Sequence, residues 1–300
     1  MTNAHTTDPN HKGATKVFID GSVCDGERAK ISVFDRGFLY GDSVYEVMRT
    51  ANGSPVDLER HLDRLSASAA SLWLPSPSAT AIHSAIDSTL RAAGNSESYI
   101  RVILTRGAGE IGLDVSLAGD AQLLVIVKPL VLPPPSLYRE GAALQIVGVR
   151  RTSREAIDPA VKSGNYLNNI LALAEARRHG AHEAVMLSPD GLVAEGSTSN
   201  IFAVKNKTIT TPAVAVGLLA GITRARVIEL AAECGFEVCC ATLSPAELRH
   251  ADEVFITSSI RGLLPIRAVD EYTKEVPGPV TERLLAAYSA FLTCPAQTSQ

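Results

Sequence analysis

Lysine is scarce in this chain, with eight in 300 residues, and no run of basic residues occurs anywhere. Nucleic acid and an anionic membrane surface both require concentrated positive charge, and a formal net charge of -4 with interspersed signs does not supply it. Long apolar runs are missing too: none approaches the roughly 20 residues of a bilayer-spanning helix. Residues 1–15 are polar and contain no apolar stretch of a secretory leader. The five cysteines, Cys24, Cys234, Cys239, Cys240 and Cys294, form no C-x-x-C pair, and their odd number suits a reducing compartment. These absences predict a soluble cytoplasmic protein with a disordered segment 1–15, no nucleic-acid or membrane partner and no metal site.

What is present is enough apolar content for a large core, 46% of residues, in a chain longer than most single domains. Two domains are expected. Short β-rich runs between Lys16 and Pro55 are punctuated by Asp20-Gly21 and Asn52-Gly53, both hairpin-turn dipeptides. Leu58, Leu62, Leu65, Ala69 and Leu72 recur at helical spacing, and a second helix over 78–93 is closed by Gly94-Asn95. Strands are expected over 98–106 and 121–128. The proline-rich segment Pro129 to Ser136 is read as neither helix nor sheet interior, which places a linker at 129–140 between a small α+β domain, 16–128, and a larger domain, 141–295. In the second half, a strand over 142–149 precedes a helix over 165–179 with Leu167, Ile170, Leu171 and Ala174 on one face. A strand meander from Glu183 to Thr210 follows, then a helix over 223–234, strands over 253–257 and 265–269, and a helix over 281–292. Antiparallel strands with helices in each half make an α+β protein rather than a doubly wound sheet.

Gly107-Ala-Gly-Glu-Ile-Gly112 matches the dinucleotide fingerprint and follows a strand, but no helical periodicity opens at its glycines, so no helix terminus would meet a pyrophosphate. A flexible loop at a site entrance is the better reading.

Lys162, in Val161-Lys-Ser-Gly-Asn-Tyr-Leu-Asn-Asn169, stands just before a helix. An amine on a short loop among apolar neighbours can act as a nucleophile toward an aldehyde, pyridoxal phosphate being the obvious one. Such a site needs further groups. Glu195, at the end of an apolar strand, could face a ring nitrogen. Gly221-Ile222-Thr223 opens a helix whose first N–H groups and positive dipole end would take a phosphate. Thr257-Ser258-Ser259 could add hydroxyl donors. Arg64, three residues after His61, could supply a permanent charge to the phosphate, or could pair on its helix surface with Glu59 or Asp63. Tyr166 could hydrogen-bond a phenolic oxygen.

Five motifs occur in one order: Asp35-Arg-Gly-Phe-Leu-Tyr-Gly-Asp-Ser-Val-Tyr-Glu46, His61-Leu-Asp-Arg64, Lys162-Ser-Gly-Asn-Tyr-Leu167, Glu195-Gly-Ser-Thr-Ser-Asn200 and Gly221-Ile-Thr-Arg224. In them the chain, over roughly residues 17–269, resembles the class IV aminotransferases, the fold-type IV pyridoxal phosphate enzymes. That group includes branched-chain aminotransferases, D-amino-acid aminotransferases and aminodeoxychorismate lyase. The resemblance implies pyridoxal 5'-phosphate as cofactor, Lys162 as the Schiff-base lysine, Glu195 as partner of the pyridine nitrogen and Tyr166 near the phenolic oxygen. It assigns Arg64, Ile222, Thr223 and Ser259 to the phosphate. It further implies a small N-terminal domain, a C-terminal pseudo-barrel domain, and a homodimer that exchanges amino groups between amino acids and keto acids, with 2-oxoglutarate as a plausible acceptor.

Tyr99 and Arg101 alternate onto one strand face, where a hydroxyl and a guanidinium could hold one substrate carboxylate. Together with Tyr40, Ala108 in the glycine loop and Ser258, they resemble the substrate-binding set of the branched-chain subgroup. The D-amino-acid enzymes carry Arg and His where this chain has Ile111 and Leu113. Two features depart from the branched-chain pattern: Tyr45 stands for the usual phenylalanine and Val47 for glycine, as in D-amino-acid enzymes. Arg261, in a turn normally built from small apolar residues, could recruit a second carboxylate or point to solvent. A branched-chain L-amino-acid transaminase is the preferred reading, with a D-amino-acid transaminase or the lyase as alternatives.

Overall fold

The structure is a computed structural model that describes residues 14–294. The first half builds one antiparallel sheet from β1 (Lys16–Ile19), β2 (Ser22–Asp25), β3 (Ser43–Ala51), β4 (Ser54–Pro55), β5 (Ser98–Thr105) and β6 (Gln122–Pro129), in the order β2-β1-β6-β5-β3-β4. Its hairpins turn where the sequence predicts: Asp20 and Asn52 have φ of 52°, and the glycines that follow have φ of 75° and 78°. A short helix, α1 (Arg36–Tyr40), precedes β3, while α2 (Leu58–Ser71) and α3 (Ala79–Ala93) pack on the sheet. Leu62 and Leu65 of α2 and Ile82 and Ile86 of α3 meet Met48, Ile100, Val102 and Val125 in one buried cluster. Each such side chain removed from water contributes about 1.5–3 kcal/mol. Ser78 caps α3 by accepting from the Ala81 N–H, and Gly94 ends it in the left-handed region.

The second half forms a larger sheet from β7 (Ala142–Ile146), β8 (Glu183–Leu187), β9 (Val193–Gly196), β10 (Asn200–Lys205), β11 (Thr208–Pro212), β12 (Val238–Ala241), β13 (Glu253–Ser258), β14 (Gly262–Val269) and β15 (Tyr272–Thr273). The order is β12-β11-β10-β13-β14-β7-β8-β9, with β15 on β14. The sheet curls: the Val193 N–H at one end donates to the Leu243 carbonyl beyond the other, at 2.8 Å. It carries α4 (Pro135–Glu140), α5 (Leu167–Arg178), α6 (Ile222–Glu233), α7 (Pro245–Arg249) and α8 (Pro279–Thr293). The α+β class and the two lobes agree with the sequence reading.

The structure changes or refines three expectations. The proline-rich connection contains a helix, α4, because Pro134 and Pro135 occupy its cap and first position, where proline's missing N–H costs nothing. Helix α5 buries Asn169, Ala172 and Ala176, while Leu167, Ile170, Leu171 and Ala174 face outward. The Gly107–Gly112 loop is tied down rather than flexible. Arg36, 3% exposed, donates to the carbonyls of Gly112 and Leu113 at 2.8 and 3.3 Å, and the Tyr40 hydroxyl accepts from the Gly112 N–H. Of the segment expected to be disordered, residues 1–13 lie outside the described residues, as do 295–300 at the other end. Among the described residues, no helix is long and apolar enough to cross a membrane.

Candidate active site

Strand β3 of the first lobe is stitched to the segment carrying Lys162. The Tyr45 N–H donates to the Lys162 carbonyl at 3.0 Å, and the Gly164 N–H donates to Ser43 O at 2.8 Å. The lysine is thereby held at the junction of the two sheets, over a cavity of about 660 Å³. Its Nζ donates toward the hydroxyls of Tyr166, at 3.2 Å, and Tyr45, at 3.5 Å. Lys162 and Tyr166 both lie in the non-helical segment that leads into α5, with Tyr166 at the N-cap of that helix.

Glu195, at the end of β9, faces the same cavity and is 5% exposed. Burial pushes its carboxyl up from the ordinary range, while the Arg151 charge and the Leu219 N–H oppose the shift in part. Arg151 Nε donates to Oε1 at 2.6 Å and the Leu219 N–H to Oε2 at 3.0 Å. Sequence reasoning did not single out Arg151. The two residues are 44 positions apart, so nothing in the sequence around Glu195 names its cation.

Leu219 begins the turn into α6, and Asn200 Nδ2 fixes that turn through the Leu219 carbonyl at 2.9 Å. Gly221 is the N-cap and contributes no side-chain hydrogen bond, so the first N–H groups of the helix, those of Ile222 and Thr223, border the cavity uncapped. A Cβ at Gly221 would collide with Asn200 Oδ1, which accounts for glycine there. Thr257 Oγ1, also bordering the cavity, is buried and has no hydrogen-bond partner among the described residues. Ser258, Ser259 and Arg64 line the same space.

Arg64 does not pair with Glu59 or Asp63. Its Nε and one terminal nitrogen grip Glu46 at 2.6 and 2.8 Å, and the other terminal nitrogen donates to the Ala220 carbonyl at 2.8 Å, next to the α6 N-terminus. His61 Nδ1 lies 2.6 Å from the same Glu46 carboxylate, which is fully buried. Burial alone would raise the Glu46 carboxyl, but the hydrogen bonds from Arg64 and His61 outweigh it and leave it at about 2.

Tyr99 and Arg101 both line the cavity, as their alternation along β5 predicts. The Arg101 guanidinium lies over the Tyr45 ring, 4.0 Å from its centre. Arg261 neither points to solvent nor stands free for a ligand. It donates twice to Glu183 at 3.1 Å, and also to Ser258 and Thr198, joining two turns of the cavity wall. Of the four cavity-lining arginines, Arg64, Arg151 and Arg261 are neutralised by Glu46, Glu195 and Glu183, whereas Arg101 has no acidic partner among the described residues. Tyr40 and Ala108 lie outside the cavity lining of the single chain.

Residues 43–269 match the model of the family described as amino-transferase class IV. The chain is 40% identical over 273 residues, 90% of its own length and 93% of the relative's, to a putative branched-chain-amino-acid aminotransferase of Methanocaldococcus jannaschii. Its fold is similar to a branched-chain aminotransferase from the thermophilic archaeon Thermoproteus uzoniensis, solved with norvaline, with a TM-score of 0.88 at 32% identity over 93% of this chain and 95% of that one. It is also similar to an aminotransferase from Brucella abortus bound to the cofactor PLP, with a TM-score of 0.84 at 30% identity over 94% of this chain and all of that one. The chain belongs to the class IV aminotransferases and is an enzyme that transfers amino groups.

Proposed function

We propose that this chain is a pyridoxal 5'-phosphate-dependent transaminase of branched-chain L-amino acids, with 2-oxoglutarate as amino acceptor, working as a cytoplasmic homodimer. The observation that carries the reading is the convergence of Lys162, Glu195, the uncapped α6 N-terminus and Arg101 on one cavity. The donor set fits the cofactor in its chemistry. An amine, an acid with a raised carboxyl pKa, uncapped helical N–H groups beside Arg64, and the unpartnered Thr257 hydroxyl answer its aldehyde, ring nitrogen and phosphate in turn.

Pyridoxal phosphate, when bound, supplies an aldehyde that takes up amino groups and a ring that spreads the negative charge left when an α proton is removed. The residues do the rest. Lys162 Nζ would hold the aldehyde, and its amine, once freed by an incoming substrate, would serve as the base for the α proton. Tyr166 steadies that nitrogen and reaches the phenolic oxygen. Glu195 keeps the ring nitrogen protonated, an arrangement that also relieves the strain of its own buried charge. Arg64, Ile222, Thr223 and Ser259 bind the phosphate. Arg101 and Tyr99, with Ser258, take the substrate carboxylate.

Val47, Ile157 and Ile260 on the cavity lining suit an aliphatic side chain, and the names of the relatives support the branched-chain choice. A homodimer is supported by the apolar residues left bare around Tyr40 and Ala108. Phe34, Phe38, Ile111 and Leu113 are 51%, 68%, 72% and 83% exposed. A second copy covering this patch would bring Tyr40 and Ala108 to its partner's substrate. Holoenzyme given L-leucine and 2-oxoglutarate should release the branched keto acid. Turnover of D-alanine but not L-leucine would replace the substrate reading, and pyruvate release without an acceptor would favour the lyase.

A further inference from the structure

Tyr45 is placed by backbone, not chance: its N–H is bonded to the Lys162 carbonyl at 3.0 Å, so ring and lysine share one register. The side chain is 5% exposed. Its hydroxyl lies 3.5 Å from Lys162 Nζ, and the same ring has that Nζ at 4.5 Å and the Arg101 guanidinium carbon at 4.0 Å from its centre. Tyr166 meets it edge-on at 5.3 Å between ring centres. Burial first, and then the neighbouring Tyr166, push the Tyr45 phenol far above its ordinary range. It therefore stays protonated and serves as a neutral donor and acceptor. Two groups with different tasks thus contact one side chain: the amine that would carry the proton, and the lining arginine that has no acidic partner among the described residues.

We infer that Tyr45 is a positioning residue that joins these two tasks. Its hydroxyl holds Lys162 Nζ in line for proton transfer, and its ring holds the Arg101 guanidinium, through cation–π contact, where the substrate carboxylate binds. The inference rests on the transaminase reading above. It also separates hydroxyl from ring. A phenylalanine in the Tyr45 position needs no new space and keeps the Arg101 contact, but leaves Lys162 with Tyr166 alone.

The test is made on the holoenzyme. In Tyr45→Phe, kcat falls about tenfold, the loss of one hydrogen bond to a charged group. The KM for L-leucine stays within about twofold, and the pH at which the visible absorbance of the resting holoenzyme titrates moves by about one unit. In Tyr45→Leu, which removes the ring, KM rises about tenfold as well. Arg101→Lys, which keeps the charge but not the planar contact, reports the same interaction from its other side and should also raise KM without moving the absorbance titration. Wild-type kcat with an unmoved titration in Tyr45→Phe would overturn the hydroxyl half. An unchanged KM in Arg101→Lys would overturn the ring half, whether or not Tyr45→Leu folds. A wild-type protein that neither takes up visible absorbance with pyridoxal phosphate nor turns over would instead remove the transaminase reading itself.

Discussion

Arg151 Nε donates to Glu195 Oε1 at 2.6 Å, and the glutamate so held is buried beside a cavity with a carboxyl pKa raised by that burial. The sign follows directly. A carboxyl whose folded pKa is raised makes its stabilising contribution below the ordinary value and loses it as pH climbs through the folded value. The ionised form of Glu195 is thus a cost to the fold, which Arg151 offsets in part and a protonated ring nitrogen would offset further.

From this pair we predict that Arg151→Met weakens pyridoxal phosphate binding about tenfold or more, since a charge worth 1.5–3 kcal/mol in hydrogen bonding is withdrawn from the carboxylate. Equilibrium titration of the visible absorbance measures it. Unchanged affinity would show that Arg151 does not tune Glu195.

Glu46 grips Arg64 from a fully buried position, and the second prediction concerns its effect on the phosphate. Glu46→Gln should reduce affinity for pyridoxal phosphate about tenfold by freeing the arginine, and leave affinity for pyridoxal, which has no phosphate, unaltered. Ultrafiltration with the two ligands distinguishes these outcomes.

The same carboxylate gives a pH prediction. With its carboxyl depressed to about 2, Glu46 contributes stability in full above its ordinary value near 4.5 and loses it as pH falls toward 2. Urea unfolding of wild type and Glu46→Gln should differ most at pH 6 and converge on acidification. A gap that widens toward low pH would contradict the assignment.

How far the site could be read in advance depended on how local each signal was. The lysine, Glu195 and the Gly221-Ile222-Thr223 start of α6 lie in short segments whose spacing carries its own meaning. The Glu46 to Arg64 grip joins a strand to a helix, and Arg261 reaches Glu183 from 78 residues away, so neither pair leaves a trace in adjacent positions. Helix α5 shows a second limit. Periodicity located its apolar stripe correctly, but Leu167, Ile170 and Leu171 are 67%, 59% and 52% exposed, while small Ala172 and Ala176 pack inward. An apolar stripe states that a face is to be covered, not that its own chain covers it. Helix α4 was missed because prolines were read as breakers without regard to the cap and first-turn positions, where they are tolerated.

The loop after β5 yields a prediction of rigidity. Arg36 bonds two of its carbonyls from a buried position, so Arg36→Ala should open the 107–113 segment to limited proteolysis while wild type resists. Mass spectrometry of the first fragments identifies the cut.

The central claim is that Lys162 Nζ is the atom that holds the cofactor, and it is tested most directly by reducing the holoenzyme with borohydride and mapping the labelled peptide. The account predicts a single pyridoxyl adduct on Lys162, lost in Lys162→Ala; an adduct on another lysine, or none, would contradict it.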